Sequence, residues 1–324
     1  MGKVLVVGGA GYIGSHCSKA LARSGREVLV FDDLSTGHKD LCQWGDLVQG
    51  DVCDKAAVDQ LFSEHKISAV FHFAAKSLVG ESGQKPDLYW RTNLGGTMNL
   101  LDAMAQHSVP HIIFSSTAAV YGEPDVELID ENQSIQPINT YGRTKVACEA
   151  MIRSYAEAHS LGFVCPRYFN AAGADPELET GEDHSPETHV IPILLDAARG
   201  IRDQFSIFGE DYQTDDGSAV RDYIHVTDLA SAHVAALDYL LADGDSTALN
   251  LGTSKGASVK ELLQAAIRTT NREIPTAIAP RRSGDPARLV ADATRAQKLL
   301  KWTPTNSSLE QIIDDAWRWH LKRF

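Results

Sequence analysis

Six short runs in the first 170 residues are almost wholly apolar: KVLVVGG, EVLVFDD, DLVQGD, SAVFHFAA, HIIFSS and GFVCPRYF. Alternation of apolar and polar positions would mark a strand with one wet face. Near-continuous Val, Ile and Phe mark strands buried on both faces. Between the runs, 54–64, 87–107 and 141–160 carry apolar residues at helical spacing. Strands alternating with helices predict a parallel sheet with helices on both sides. Pro166 interrupts the sixth run and lacks an N–H for the ladder, so that strand is expected to pair mainly beyond it. After Asn170 the texture changes. Residues 171–190, rich in Gly, Pro, Asp and Glu, read as a long loop. RDYIHV, followed by the helical TDLASAHVAALDYLL, is expected to return to the main sheet. The pattern predicts an α/β fold: a Rossmann-type, doubly wound parallel sheet over 1–170, rejoined by 220–242, with a smaller C-terminal lobe over 171–324.

The length of 324 residues suits this division, being about twice the ~150-residue prior for one domain. A net charge of −13 argues against nucleic-acid binding, which needs a basic face. No run reaches the ~20 apolar residues of a membrane span, and MGKVLVV enters a strand pattern at once, so neither a span nor a signal peptide is expected. The five cysteines form no C-x-x-C pair. They are expected as free thiols in a reducing cytoplasm, with no metal site.

VVGGAGYIGSH places Gly8, Gly11 and Gly14 between the first strand and a helix. Glycine lets the backbone turn tightly and approach a pyrophosphate, whose charge meets free amides at the helix N-terminus. Asp32 ends the second strand, where a carboxylate accepts a hydrogen bond from a ribose 2′-hydroxyl and repels a 2′-phosphate. Asp33 and Leu34 follow, with no arginine, so the cofactor expected is NAD rather than NADP. Tyr141 precedes Lys145 by one helical turn in INTYGRTK. A nearby ammonium favours a phenolate and is expected to lower the tyrosine pKa, making it a usable base. Ser115, Ser116 and Thr117 stand at the carboxyl end of the fifth strand, where such sheets bind ligands. A hydroxyl there, Tyr-x-x-x-Lys and the dinucleotide loop together describe a hydride-transfer site.

GGAGYIGSH, HFAA…VGES, FSSTAAVYG, YGRTK, RYFNAAGA, GEDH, VRDYIHVTDLA, LNLGT and RRSGDPARLVAD run nearly end to end. With these motifs the chain resembles the extended short-chain dehydrogenase/reductases, and among them the UDP-glucose (UDP-galactose) 4-epimerases. The resemblance implies NAD-dependent interconversion of two UDP-sugars through a 4-keto intermediate, in a cytoplasmic homodimer. It implies Tyr141 as base, Thr117 bridging the sugar 4-hydroxyl, and Lys145 on the nicotinamide ribose. Cofactor contacts fall on Gly8, Gly11, Tyr12, Ile13 and Gly14, on Asp32, Asp33, Leu34, Ser35, Thr36 and Gly37, and on Asp51 and Val52. They continue through Phe73, Ala74, Ala75, Lys76 and Ser77 to Asn93, Tyr141, Lys145 and Phe169. Substrate contacts fall on Thr117, Tyr141, Asn170, His189, Phe208, Arg221, Arg282, Asp285 and Leu289. Guanidinium forks suit a diphosphate, which gives Arg221 and Arg282 a chemical reason apart from the resemblance.

Three positions depart from the family pattern. Some members carry Lys where Ser77 stands, here displaced to Lys76. Some carry Asn at His189, and some a large Tyr at Leu289, the position that sets sugar-pocket size. Related sugar-nucleotide dehydratases place Asp-Glu after the threonine; Ala118 and Ala119 stand here and transfer no protons. The alternatives are a 4-epimerase for N-acetylated, uronic or pentose UDP-sugars, and a non-catalytic NAD-binding scaffold. The scaffold reading predicts loss of Tyr141, Lys145 or Thr117, and all three are present.

Overall fold

The computed structural model describes residues 2–282 and 285–324. The first half forms strands β1 (Lys3–Val7), β2 (Val28–Asp32), β3 (Asp46–Gln49), β4 (Ile67–His72), β5 (His111–Phe114), the short β6 (Ser116–Thr117) and β7 (Gly162–Tyr168). Helices α1 (Tyr12–Arg23) and α2 (Lys55–Glu64) lie between them. Next come α3 (Val79–Gln84), α4 (Pro86–Tyr89), a π-turn over Trp90–Gly95, α5 (Gly96–Gln106) and α6 (Thr140–His159). Asp54 fixes the start of α2 by accepting from the amides of Ala56 and Ala57, and Asn139 does the same for α6 through Gly142.

Beyond β7 follow β8 (Asn170–Ala172), α7 (Val190–Arg199), β9 (Phe205–Phe208), β10 (Val220–Arg221), β11 (Tyr223–His225), α8 (Val226–Leu241) and β12 (Thr247–Leu251). The chain ends with β13 (Ala257–Ser258), α9 (Val259–Thr270), β14 (Thr276–Ala279), β15 (Arg288–Leu289), α10 (Thr294–Leu300) and α11 (Leu309–Arg323). The large sheet is parallel throughout, in the order β12-β7-β5-β4-β1-β2-β3, with β6 beside β7.

Successive residues of β1 face opposite sides, so each strand feeds two cores. Leu5 and Val7 pack with Leu29, Phe31, Leu100, Leu101 and Ile152 under α2, α5 and α6. Val4 and Val6 pack with Leu21, Leu229, Ala236 and Leu240 under α1 and α8. A third core joins α7, α9 and α11 in the smaller lobe through Leu194, Leu262 and Ile312.

Three expectations need correction. The strand in RDYIHV does not rejoin the large sheet: β10 pairs with β13 and β15, and β11 pairs with β8. Helix α8 does return to the large sheet, and the edge strand is β12, TALNL, which no sequence run announced. Pro166 is paired on both sides in sequence, since β7 matches β5 through Val164 and β6 from Arg167. On that side the register breaks around the proline, between β5 and β6, while on the other side Pro166 stands opposite Leu249 of β12. The apolar content of TMNLLDAMAQ, more than one contact with the sheet requires, predicts an apolar outer face on 87–107, yet Leu100, Leu101, Ala103 and Met104 are fully buried. Trp90 and Met98 stay exposed.

Candidate active site

One cavity of about 720 Å³ runs from the glycine loop across the carboxyl ends of the strands to β15. Gly8 has φ +81°, and a Cβ there would stand 2.5 Å from the Ala74 amide nitrogen. A Cβ on Gly14 would meet the Gly8 carbonyl at 2.1 Å, so glycine is what lets α1 pack against the loop. Gly11 caps α1 with no side chain, leaving the first-turn amides without an internal partner. A Cβ on Gly11 would touch only the Gly8 carbonyl, at 3.4 Å, so the loop is a cradle open to the cavity.

Asp32 binds the Ala10 amide through Oδ2 (2.9 Å) and the Leu34 amide through Oδ1 (2.8 Å). Each oxygen keeps a lone pair for a hydroxyl. Burial raises the Asp32 pKa, opposed by these amides. Among the described residues lining this end, from Asp32 through Gly37 to Asp51 and Val52, no cation stands ready for a 2′-phosphate. The cradle, the uncapped amides and Asp32 therefore fit NAD. NADP is expected to bind at least about tenfold more weakly, about 1.4 kcal/mol. Equal affinities for the two in fluorescence titrations would contradict this.

Further along the same carboxyl edge, Tyr141 lies in the first turn of α6 and Lys145 one turn on. The Lys145 ammonium donates to the Ser115 carbonyl (2.7 Å) and stands 5.9 Å from the Tyr141 ring centre. Thr117, on β6, lines the cavity with them. The electrostatics differ from expectation in the protein alone. Burial pushes the Tyr141 phenol up to about 12, opposed by the Thr117 hydroxyl. Burial pulls Lys145 down to about 8. Desolvation penalises both charged forms and is the largest cause of both shifts, so the phenol is raised where sequence spacing suggested it would be lowered.

Across the cavity Arg221 donates to the Val220 carbonyl (2.7 Å), to the Pro286 carbonyl (2.9 Å) and to Asp285. That leaves its Nε–H and one Nη1–H for a ligand. Asn170 donates from Nδ2 to the Asp222 carbonyl (3.1 Å). His189 caps the start of α7 and donates to the buried Glu182. Burial lowers the His189 pKa, but the Glu182 carboxylate overrides it and brings the imidazole to about 9. Burial raises the Glu182 pKa, but His189 and His184 override it and hold the carboxyl near about 2.

The cavity wall includes most of the residues singled out from sequence: Gly8, Gly11, Tyr12, Ile13, Gly14, Asp33, Ser35, Thr36, Phe73 through Ser77, Phe169 and Leu289 also line it. Four do not. Leu34 turns its amide to Asp32. Asn93 is buried and holds the Lys76 backbone at both its N–H (2.8 Å) and its carbonyl (3.0 Å). Arg282 and Phe208 both stand away from the lining, with the guanidinium stacked 4.0 Å from the Phe208 ring centre. Tyr168, Glu182, His184 and Tyr223 line the cavity and were not singled out. Tyr168 ends a run already read as a strand, and its position at the carboxyl end was the available signal.

The pattern of the NAD dependent epimerase/dehydratase family matches residues 4–252. The UDP-glucose 4-epimerase of Halalkalibacterium halodurans is 51% identical over 317 residues, 98% of this chain and 95% of that protein. The crystal structure of UDP-glucose 4-epimerase from Brucella ovis in complex with NAD superposes with a TM-score of 0.96 at 47% identity, covering 98% of each chain. The enzyme of the same name from Bifidobacterium longum, in complex with NAD+ and UDP, gives 0.93 at 37% identity, covering 99% of this chain and 98% of that one.

Proposed function

The chain belongs to the NAD dependent epimerase/dehydratase family, and from that premise we propose that it interconverts UDP-glucose and UDP-galactose through a 4-keto sugar. The observation that carries the reading is the single cavity joining the glycine cradle and Asp32 to Tyr141, Thr117 and Lys145, with Arg221 and Asp285 opposite. Residues 1–170 hold the cofactor and 171–324 supply the sugar-nucleotide lobe. Bound NAD supplies the hydride acceptor and donor for sugar C4 and adds positive charge beside Tyr141. Tyr141 takes the proton of the 4-hydroxyl, Thr117 bridges that hydroxyl, and Lys145, fixed by the Ser115 carbonyl, binds the cofactor ribose and favours the phenolate. Arg221 anchors the diphosphate while the keto sugar turns over and presents its other face. The C4–H bond is then remade and the proton returned, so no net redox partner is consumed. Purified protein given UDP-galactose without added NAD should form UDP-glucose. No product from protein with bound NAD would sink the reading and leave a non-catalytic scaffold.

Leu289 is half-buried against the cavity. It is shorter than the Tyr of some relatives and bulkier than Cys or Ser, so activity on UDP-N-acetylglucosamine should be present but weak. Leu289→Ser should raise that activity relative to UDP-glucose, and Leu289→Tyr should suppress it. An unchanged ratio in both variants would remove Leu289 as the gate.

Assembly is proposed as a cytoplasmic homodimer through the outer faces of α5 and α6. Met98 on α5 and Trp90 on the π-turn before it are exposed apolar side chains that support this reading. Light scattering at micromolar concentration should give twice the mass of the 35.2 kDa chain. A strictly monomeric mass would count against it. Among the described residues, no helix is long and apolar enough to cross a membrane.

A further inference from the structure

The loop before α7 brings Glu182, His184, Glu187 and His189 together, with one donor atom of each within 4.8 Å of the others. Glu182 Oε1 lies 3.1 Å from His184 Nδ1 and closer still to His189 Nδ1. Glu187 completes the ring, with Oε2 3.9 Å from His184 Nδ1 and Oε1 3.6 Å from His189 Nδ1. Four ligands at the ~2.0–2.2 Å bond lengths of zinc sit about 3.3–3.6 Å from one another in a tetrahedron. The observed spacings bracket that edge, so small side-chain adjustments make the set a coordination shell.

The charge balance points the same way. Glu182 and Glu187 are mostly withdrawn from water, at 7% and 14% side-chain exposure. Among the described residues their ionic partners are histidines alone, with no lysine or arginine. Buried carboxylates are paired or bind metal. The scaffold is fixed as well: the Tyr12 ring packs edge-on to His184 at 6.2 Å, and Tyr12 is itself tied to the Gly173 carbonyl. We propose that Glu182, His184, Glu187 and His189 form a binding site for one divalent ion of the zinc class in the wall of the cavity. Two imidazoles and two carboxylates suit zinc, cobalt or nickel. Magnesium and calcium prefer all-oxygen shells. Filling the site ties His189, which lines the cavity, to the ion.

The test uses the NAD-loaded protein, stripped with a chelator and dialysed. Cobalt(II) serves as a spectroscopic probe and zinc(II) is followed by equilibrium dialysis. One cobalt per chain should bind with the intense visible bands of a tetrahedral N/O site, and zinc should displace it. His184→Ala and Glu187→Gln should each weaken binding at least about tenfold, since each removes one of four ligands. Glu187→Gln preserves side-chain shape and covers the case in which the histidine variant folds poorly. Binding that both variants leave unchanged would place the ion on other histidines of the chain and overturn the proposal. No saturable binding would also overturn it, leaving an ion-pair cluster only.

Discussion

Tyr141→Phe should lower the epimerisation rate about 10²–10⁴-fold, the usual contribution of a positioned general base. The substitution deletes one hydroxyl and keeps the ring. The first turn of α6 is held by Asn139 and not by Tyr141, so folding and NAD content should be retained. The loss should appear in kcat, because the proton is taken only as the C4–H bond breaks. Burial, partly opposed by the Thr117 hydroxyl, sets this phenol at about 12. At neutral pH the free protein would hold almost none of it as phenolate, so activity depends on positive charge delivered beside it. A variant with near-normal kcat and full NAD content would remove Tyr141 from the role of base.

Lys145→Met should cost about 10²-fold in rate at neutral pH, and much of the loss should return as the pH rises. The ammonium stands 5.9 Å from the Tyr141 ring centre. At an effective dielectric of about 20, a unit charge at ~6 Å is worth about 2.8 kcal/mol, or about two pK units. Removing it raises the phenol pKa, so a smaller phenolate fraction exists at any fixed pH below that pKa. The basic form is the active one, and the rise of rate with pH should therefore move to higher pH. Wild-type Lys145 is itself pulled down to about 8 by burial, so its support should fade above that pH. Methionine keeps the apolar stem against Phe114, which lies 4.7 Å from the ammonium. Profiles of kcat against pH for the two proteins would check this. Superimposable shapes would mean that Lys145 acts only by holding the cofactor.

The cofactor half of the site was legible in local sequence. Gly8 and Gly14 are required by steric contacts inside one strand-loop-helix unit, and Asp32 ends the neighbouring strand. Tyr141 and Lys145 are neighbours by helix geometry alone. The opposite wall was less legible. Arg221 reaches the cavity on the two-residue β10, and its guanidinium is already shared with Asp285, sixty-four residues away. Asn93 was singled out for the cofactor, yet it stands behind the wall and shapes it through Lys76.

Features that depend on near neighbours could be read along the chain. Apolar runs gave the central strands, 3.6-residue spacing gave α2 and α6, and glycine spacing gave the phosphate cradle. Tertiary structure decided whatever depends on distant partners or on burial. TALNL is too short and mixed to announce a strand and becomes β12 only because β7 offers an edge. RDYIHV has strand composition, but β8 and β13 compete for it and win. The phenol of Tyr141 is raised and not lowered, because desolvation is set by everything packed around it and spacing to one lysine encodes only one attraction. The four-donor cluster at 182–189 likewise comes from a loop path held by Tyr12 on a different element. Short-range periodicity carries no information about such contacts, since closing a chain on itself brings together residues whose separation in sequence leaves no pattern.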